Sequence, residues 1–168
     1  MLSAEEKTEL TDLIAHGETK RSACIDAMNW VQRRHGWVSD EHLAELSGLL
    51  DMSAEELDSV ATFYSLIFRR QVGRHVILVC DSISCWICGT DGILGHLREQ
   101  LGVCPGETSS DGEFTLLTVP CLGFCHRAPC MMVDDHLHVN LNAQKIASVL
   151  ERYRGKDRQL EAGPSEDG

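Results

Sequence analysis

Two stretches of the chain share one construction. HVILVCDSISC at 75–85 and FTLLTVPCLGFC at 114–125 each pass from an apolar, β-branched run into a loop that carries two cysteines. Short apolar runs of this kind read as buried strands. Between them, Thr90 to Leu101 places Ile93, Leu94, Leu97 and Leu101 at helical spacing. A strand, a crossover helix and a second strand make a parallel pair, and the loops after both strands then leave the same edge of the sheet. Whatever the rest of the chain does, the fold has to gather Cys80, Cys85, Cys121 and Cys125 at that edge.

Downstream, two short strands near 130–134 and 136–140 flank a turn at Asp134 and Asp135, and Asn142 is placed to cap a last helix with Ile146, Val149, Leu150 and Tyr153 on one side. The order β, α, β, β, β, α is that of a thioredoxin-like layer. Upstream the periodicity is helical. Ser3 with Glu6 and Ser53 with Glu56 have capping-box spacing, and Gly17 and Gly36 stand where helices stop. Cys24, Ile25, Met28 and Val31 share one face of the second segment; Leu57, Val60, Tyr64 and Ile67 share one face of the fourth. Cys24 is accordingly a buried small apolar residue. The expected fold class is α/β: an N-terminal helical bundle over 1–70, then a thioredoxin-like domain over 71–155 with a mixed sheet flanked by helices, then a polar C-terminal tail over 156–168.

Composition narrows the function. With 168 residues and a net charge of −11, the chain repels phosphate backbones, which argues against nucleic acid. No run approaches the roughly 18 apolar residues of a membrane span, and MLSAEEKTEL has no signal or transit character. A cytoplasmic chain keeps its thiols reduced, so its eight cysteines point to metal, cluster or catalytic chemistry. Cys80 and Cys85 in C-x-x-x-x-C spacing, with Cys121 and Cys125 in C-x-x-x-C spacing, supply four thiolates. That is the complement of a 2Fe-2S cluster, two for each tetrahedral iron, and zinc also accepts four. Cys85 and Cys88 form C-x-x-C, which suggests thiol-disulfide exchange, although that role leaves Cys121 and Cys125 without a function. Gly123 is expected to relieve crowding where the second loop's backbone passes close to the inorganic sulfides of a cluster, and Pro120 and Pro129 to stiffen its flanks. Gly89, Gly92 and Gly95 do not make a dinucleotide fingerprint. His136 and His138 are read as exposed hairpin residues, His126 as a neighbour able to tune a cluster beside Cys125, and Arg69, Arg70 and Arg74 as a solvated face.

The stretches VATFYSLIFRRQVGRHVILVCDSISC, DGEFTLLTVPCLGFCHRAPCMMVDD and ASVLERYR, with RRHGWVSDEHLAELSGLL in the helical part, resemble the family of small iron-sulfur E subunits of bacterial NADH-quinone oxidoreductase, or respiratory complex I. The resemblance covers nearly the whole chain. It implies one 2Fe-2S cluster held by Cys80, Cys85, Cys121 and Cys125 and no catalytic residues on this chain. It also implies docking onto the flavoprotein (F) partner, which carries FMN and the NADH site, and onto the rest of the peripheral arm. Electrons would pass singly between that flavin and the cluster, in a complex peripheral at the cytoplasmic face of the inner membrane, with no direct membrane insertion. Within the same fold the alternative is the diaphorase iron-sulfur subunit of an NAD-linked hydrogenase or formate dehydrogenase; from other classes, a thiol-disulfide oxidoreductase or a zinc-stabilised binding module. Two cysteines depart from the family pattern: Cys88, where none is needed, and Cys130, where asparagine is common. Either could in principle exchange into the cluster, and Cys88 is expected to be an unliganded thiol beside the site.

Overall fold

The computed structural model describes residues 1–156 and the two-residue strand Ser165–Glu166. Apart from Lys156 and that strand, the polar tail lies outside the described residues. The chain divides into two compact units, Met1–Gln71 and Val72 onward.

The first unit is helical: α1 (Ala4–Ala15), α2 (Cys24–His35), α3 (Asp40–Leu50) and α4 (Ala54–Phe63). Both expected capping boxes form, on Ser3 and on Ser53. A third, on Ser39, uses His42 where Glu or Gln is usual: Ser39 Oγ accepts the His42 N–H and His42 Nδ1 accepts the Ser39 N–H, each at 3.3 Å. Gly36 ends α2 in the left-handed conformation at φ 82°. The helices bury Leu10, Met28, Val31, Leu46, Leu50 and Leu57 in one core, with Cys24 also buried in it. The face that Leu57, Val60, Tyr64 and Ile67 were expected to share breaks at Phe63. Tyr64 turns extended and is exposed, and Ile67 reaches the core through a turn closed by its N–H on the Tyr64 carbonyl. Arg69 is not a solvated residue either. Its guanidinium binds Asp58 at 2.7 Å, Asp40 and the Val38 carbonyl, fastening this turn onto α3 and α4.

The second unit is the mixed α/β layer. Strand β1 (His75–Cys80) lies between β2 (Phe114–Val119), parallel to it, and β3 (Met131–Val133), antiparallel; β4 (His136–His138) follows β3 and the short β5 (Ser165–Glu166) pairs with β4. Between β1 and β2 run a short helix α5 (Ile83–Ile87) and the crossover α6 (Thr90–Leu101); α7 (Ala143–Tyr153) closes the unit, its first turn capped by Asn142 Oδ1 on the Lys145 N–H at 2.9 Å. Period-2 alternation divides the sheet. Ile77 and Val79 of β1, Leu116 of β2 and Met131 and Val133 of β3 share a core with Ile93 and Leu97 of α6 and Ile146, Val149 and Leu150 of α7. Cys80 belongs to a second cluster with Cys85, Cys130, Leu137 and Val139.

The sheet is locked at the start of β1. The buried Asp134 carboxylate meets His75 Nδ1 at 2.7 Å and accepts the Val76 N–H at 3.0 Å. Gly73 lies so close to β2 that a Cβ would stand 2.9 Å from the Phe114 backbone, which is why glycine is required there. His138 is fully buried and His136 half-buried, both rings 6.2 Å from that of Tyr153. The expectation of exposed hairpin histidines therefore fails, because α7 covers that hairpin with an aromatic ring.

Candidate metal centre

β1 and β2 run in one-to-one parallel register, with Cys80 opposite Val119, so the two cysteine loops leave the sheet at the same level. The Asp81 N–H donates to the Val119 carbonyl at 2.8 Å and holds the loop bases together. In the first loop Ser82 caps α5, its hydroxyl accepting the Cys85 N–H at 3.4 Å. This short helix has no apolar period of its own in the sequence. Its effect is to turn Cys85 inward, fully buried, toward Cys80. In the second loop Gly123 adopts φ 85°, a left-handed conformation that favours glycine. That turn aims the Gly123 N–H at Cys121 Sγ, 3.3 Å away, and brings Cys125 to 3.8 Å from Cys121, sulfur to sulfur.

The two loops also touch each other. The Leu122 backbone of the second loop favours the charged form of Cys80, and the Ser84 hydroxyl of the first favours that of Cys125. Against the upward push of burial, hydrogen bonds from the Ser82 hydroxyl, from the backbone of Ser82 and Leu122, and from Cys85 bring the Cys80 thiol down to about 7. Cys125 moves the other way, pushed up first by its hydrogen bond with Cys121 and then by the charge of that neighbour. The site thus holds one thiolate readily and resists several without a cation.

The spacing tests what the site can hold. Two thiolates on one tetrahedral metal with bonds of about 2.3 Å stand roughly 3.8 Å apart, which is the separation of Cys121 and Cys125. The second pair, Cys80 and Cys85, lies within 4.8 Å, sulfur to sulfur. The Gly123 N–H already points at one of the four sulfurs, as cluster ligands require. A 2Fe-2S group fits this donor set.

The structure also brings in a residue whose position the sequence does not reveal. Cys130 immediately precedes β3, and its carbonyl accepts the Cys80 N–H at 3.1 Å. Its sulfur lies 3.8 Å from that of Cys85, and Cys80, Cys85 and Cys130 form one buried group with all sulfurs within 4.8 Å. Burial, then the charges of Cys85 and Cys80, push the Cys130 thiol up. The signal that would have found it is the β1 to β3 register, which pairs Val79 with Met131 and so sets position 130 opposite Cys80. Cys88 ends α5, exposed and outside the group of three. His126 is exposed beside Cys125.

A family model described as thioredoxin-like [2Fe-2S] ferredoxin matches residues 10–154. The chain is 42% identical over 153 residues to the NADH-quinone oxidoreductase E subunit of Pseudomonas aeruginosa, spanning 91% of this chain and 92% of that one. It is 44% identical, with the same shares covered, to the corresponding protein of Escherichia coli K12. Among solved structures, a chain of NAD+-reducing [NiFe]-hydrogenase in the H2-reduced state superposes with a TM-score of 0.72 at 20% identity, over 84% of this chain and 24% of the hydrogenase chain. At that identity the likeness is one of fold.

Proposed function

Because the chain belongs to the thioredoxin-like [2Fe-2S] ferredoxin family, we propose that it serves as the iron-sulfur electron-transfer subunit of an NADH-quinone oxidoreductase, with Cys80, Cys85, Cys121 and Cys125 as the cluster ligands. The observation that carries this reading is the placement of two cysteine pairs in loops at the ends of adjacent parallel strands, with the loop bases joined by the Asp81 N–H on the Val119 carbonyl. When bound, the cluster supplies a one-electron redox centre.

The chain's own part is to hold that centre asymmetrically. Burial of Cys80 and Cys85 keeps water from one pair, while Cys121 and Cys125 are exposed and leave the other edge open to a partner. Ser82 and the Leu122 N–H stabilise negative charge on Cys80, and Ser84 does so on Cys125. Beside Cys85, the α5 side chains Ile83, Trp86 and Ile87 are 68%, 55% and 72% exposed. Trp86 is steadied by its indole N–H on Asp91 at 3.1 Å. Exposed apolar residues grouped on one short helix mark an interaction face. It suits docking of the flavoprotein (F) partner, which would carry FMN and the NADH site, within a peripheral arm at the cytoplasmic face of the membrane. Among the described residues no helix is long and apolar enough to cross a membrane.

NADH added to the chain alone should leave its visible spectrum unchanged, whereas NADH with the flavoprotein partner should bleach it. Bleaching without the partner, or none with it, would contradict the electron-transfer role. A further role in holding an electron from the flavin predicts that the assembled pair releases more peroxide once the cluster is removed; equal release would sink that role.

A further inference from the structure

We infer that Cys80, Cys85 and Cys130 form a second, mutually exclusive metal seat, which in the cluster-free chain binds a single zinc(II) ion through three thiolates. It is distinct from the four-cysteine set, because it uses a ligand outside that set and needs neither Cys121 nor Cys125.

Three elements converge on it. Cys80 ends β1, Cys130 lies across the ladder from it through the Cys80 N–H to Cys130 carbonyl bond, and Cys85 enters from α5. Their side chains are 1%, 1% and 0% exposed, and the three sulfurs lie within 4.8 Å of one another. The 3.8 Å between Cys85 and Cys130 is the edge of a tetrahedron with zinc-sulfur bonds of about 2.3 Å. Thiolates are the ligands that select zinc among common divalent ions, and zinc has no redox chemistry of its own to disturb them. A second contact is in place as well: Ser82 Oγ, 3.3 Å from Cys80 Sγ, accepts the thiol proton and donates to that sulfur once it is a thiolate. On binding, the thiols that still carry a proton release it to solvent, so that three thiolates meet one zinc(II) ion and the seat retains one net negative charge.

The consequence rests on the reading of Cys80 and Cys85 as cluster ligands. Zinc in this seat occupies half of the cluster's thiolates, so it blocks iron-sulfide assembly until it leaves.

Cobalt(II) is the probe. The full-length chain, freed of cluster under reducing anaerobic conditions, is titrated with it and the thiolate-to-cobalt absorption is recorded, with zinc then used as competitor. One cobalt per chain is expected. Cys130→Ala should lower the absorption per bound ion by about a third and weaken binding by roughly 100-fold or more. The double variant Cys121→Ser with Cys125→Ser should leave the cobalt site intact. Holo-protein spectra give the opposite pattern, since Cys130→Ala keeps the 2Fe-2S signature and the double variant loses it. Absence of cobalt binding, or cobalt binding indifferent to Cys130 but dependent on Cys121 and Cys125, overturns the inference. A missing 2Fe-2S signature in the unaltered chain overturns the proposed function instead.

Discussion

Ser82→Ala is the substitution that most closely links local structure to redox behaviour. The hydroxyl has two tasks: it caps α5 by accepting the Cys85 N–H, and it lies 3.3 Å from Cys80 Sγ, where it donates once that sulfur is a thiolate. Losing the cap costs about 1 kcal/mol, confined to a short helix. A hydrogen bond to a charged acceptor contributes about 1.5–3 kcal/mol. Reduction adds one electron spread over several sulfurs, so a third to a half of the middle of that range is the difference between redox states. This amounts to roughly 0.7–1.1 kcal/mol, or about 30–50 mV for a one-electron centre. A donor stabilises the more negative, reduced state. Its removal should therefore lower the midpoint potential by that amount in a titration followed by EPR, while Ser82→Thr, which keeps hydroxyl and cap, should stay near the parent value. In the cluster-free chain the same Ser82→Ala change should raise the Cys80 thiol above its value of about 7. A cluster that remains intact with an unchanged or higher potential would refute the reasoning.

His42 should make stability sensitive to pH. Burial, then the charges of His35 and the N-terminus, hold its pKa below the usual 6.5, so stability is full above 6.5 and falls as pH drops below it, the unfolded chain taking the proton first. Urea midpoints at about pH 7.5 and about pH 5 should show the fall, and His42→Gln, which preserves the capping box, should reduce it; an identical fall in the variant would assign the effect elsewhere. Gly73→Ala should destabilise the second unit by about 1–3 kcal/mol, since its Cβ meets Phe114 backbone; a thermal midpoint equal to the parent's would contradict this. Replacing Ile83 and Ile87 together by serine should weaken association with the flavoprotein at least about tenfold and leave the cluster spectrum unchanged; unaltered affinity would move the docking face away from α5.

The layer order was legible because its signals are local. HVILVC and FTLLTV announce their strands, and the span from Thr90 to Leu101 matches α6 residue for residue. Capping boxes were readable where glutamate occupied the third position and hidden where His42 did, because imidazole as the returning acceptor is not part of that pattern. What local signals could not carry was register. Cys130 differs from Cys88 by its place on a ladder, and only the pairing of β3 with β1 distinguishes a buried neighbour of Cys85 from an exposed thiol at a helix end. His138 illustrates the same limit: alternation marks a face, but the ring of Tyr153 that covers it comes from α7. The inward turn of Cys85 depends on a helix too short to show a period, capped by Ser82.

The central claim is the ligand set, and EPR of the reduced, anaerobically purified chain beside its single cysteine-to-serine variants tests it most directly. A 2Fe-2S signal should appear in the parent, be lost or markedly altered at Cys80, Cys85, Cys121 and Cys125, and persist at Cys88 and Cys130. A signal that survives unaltered at any of the first four, or one abolished by replacing Cys88 or Cys130, would contradict it.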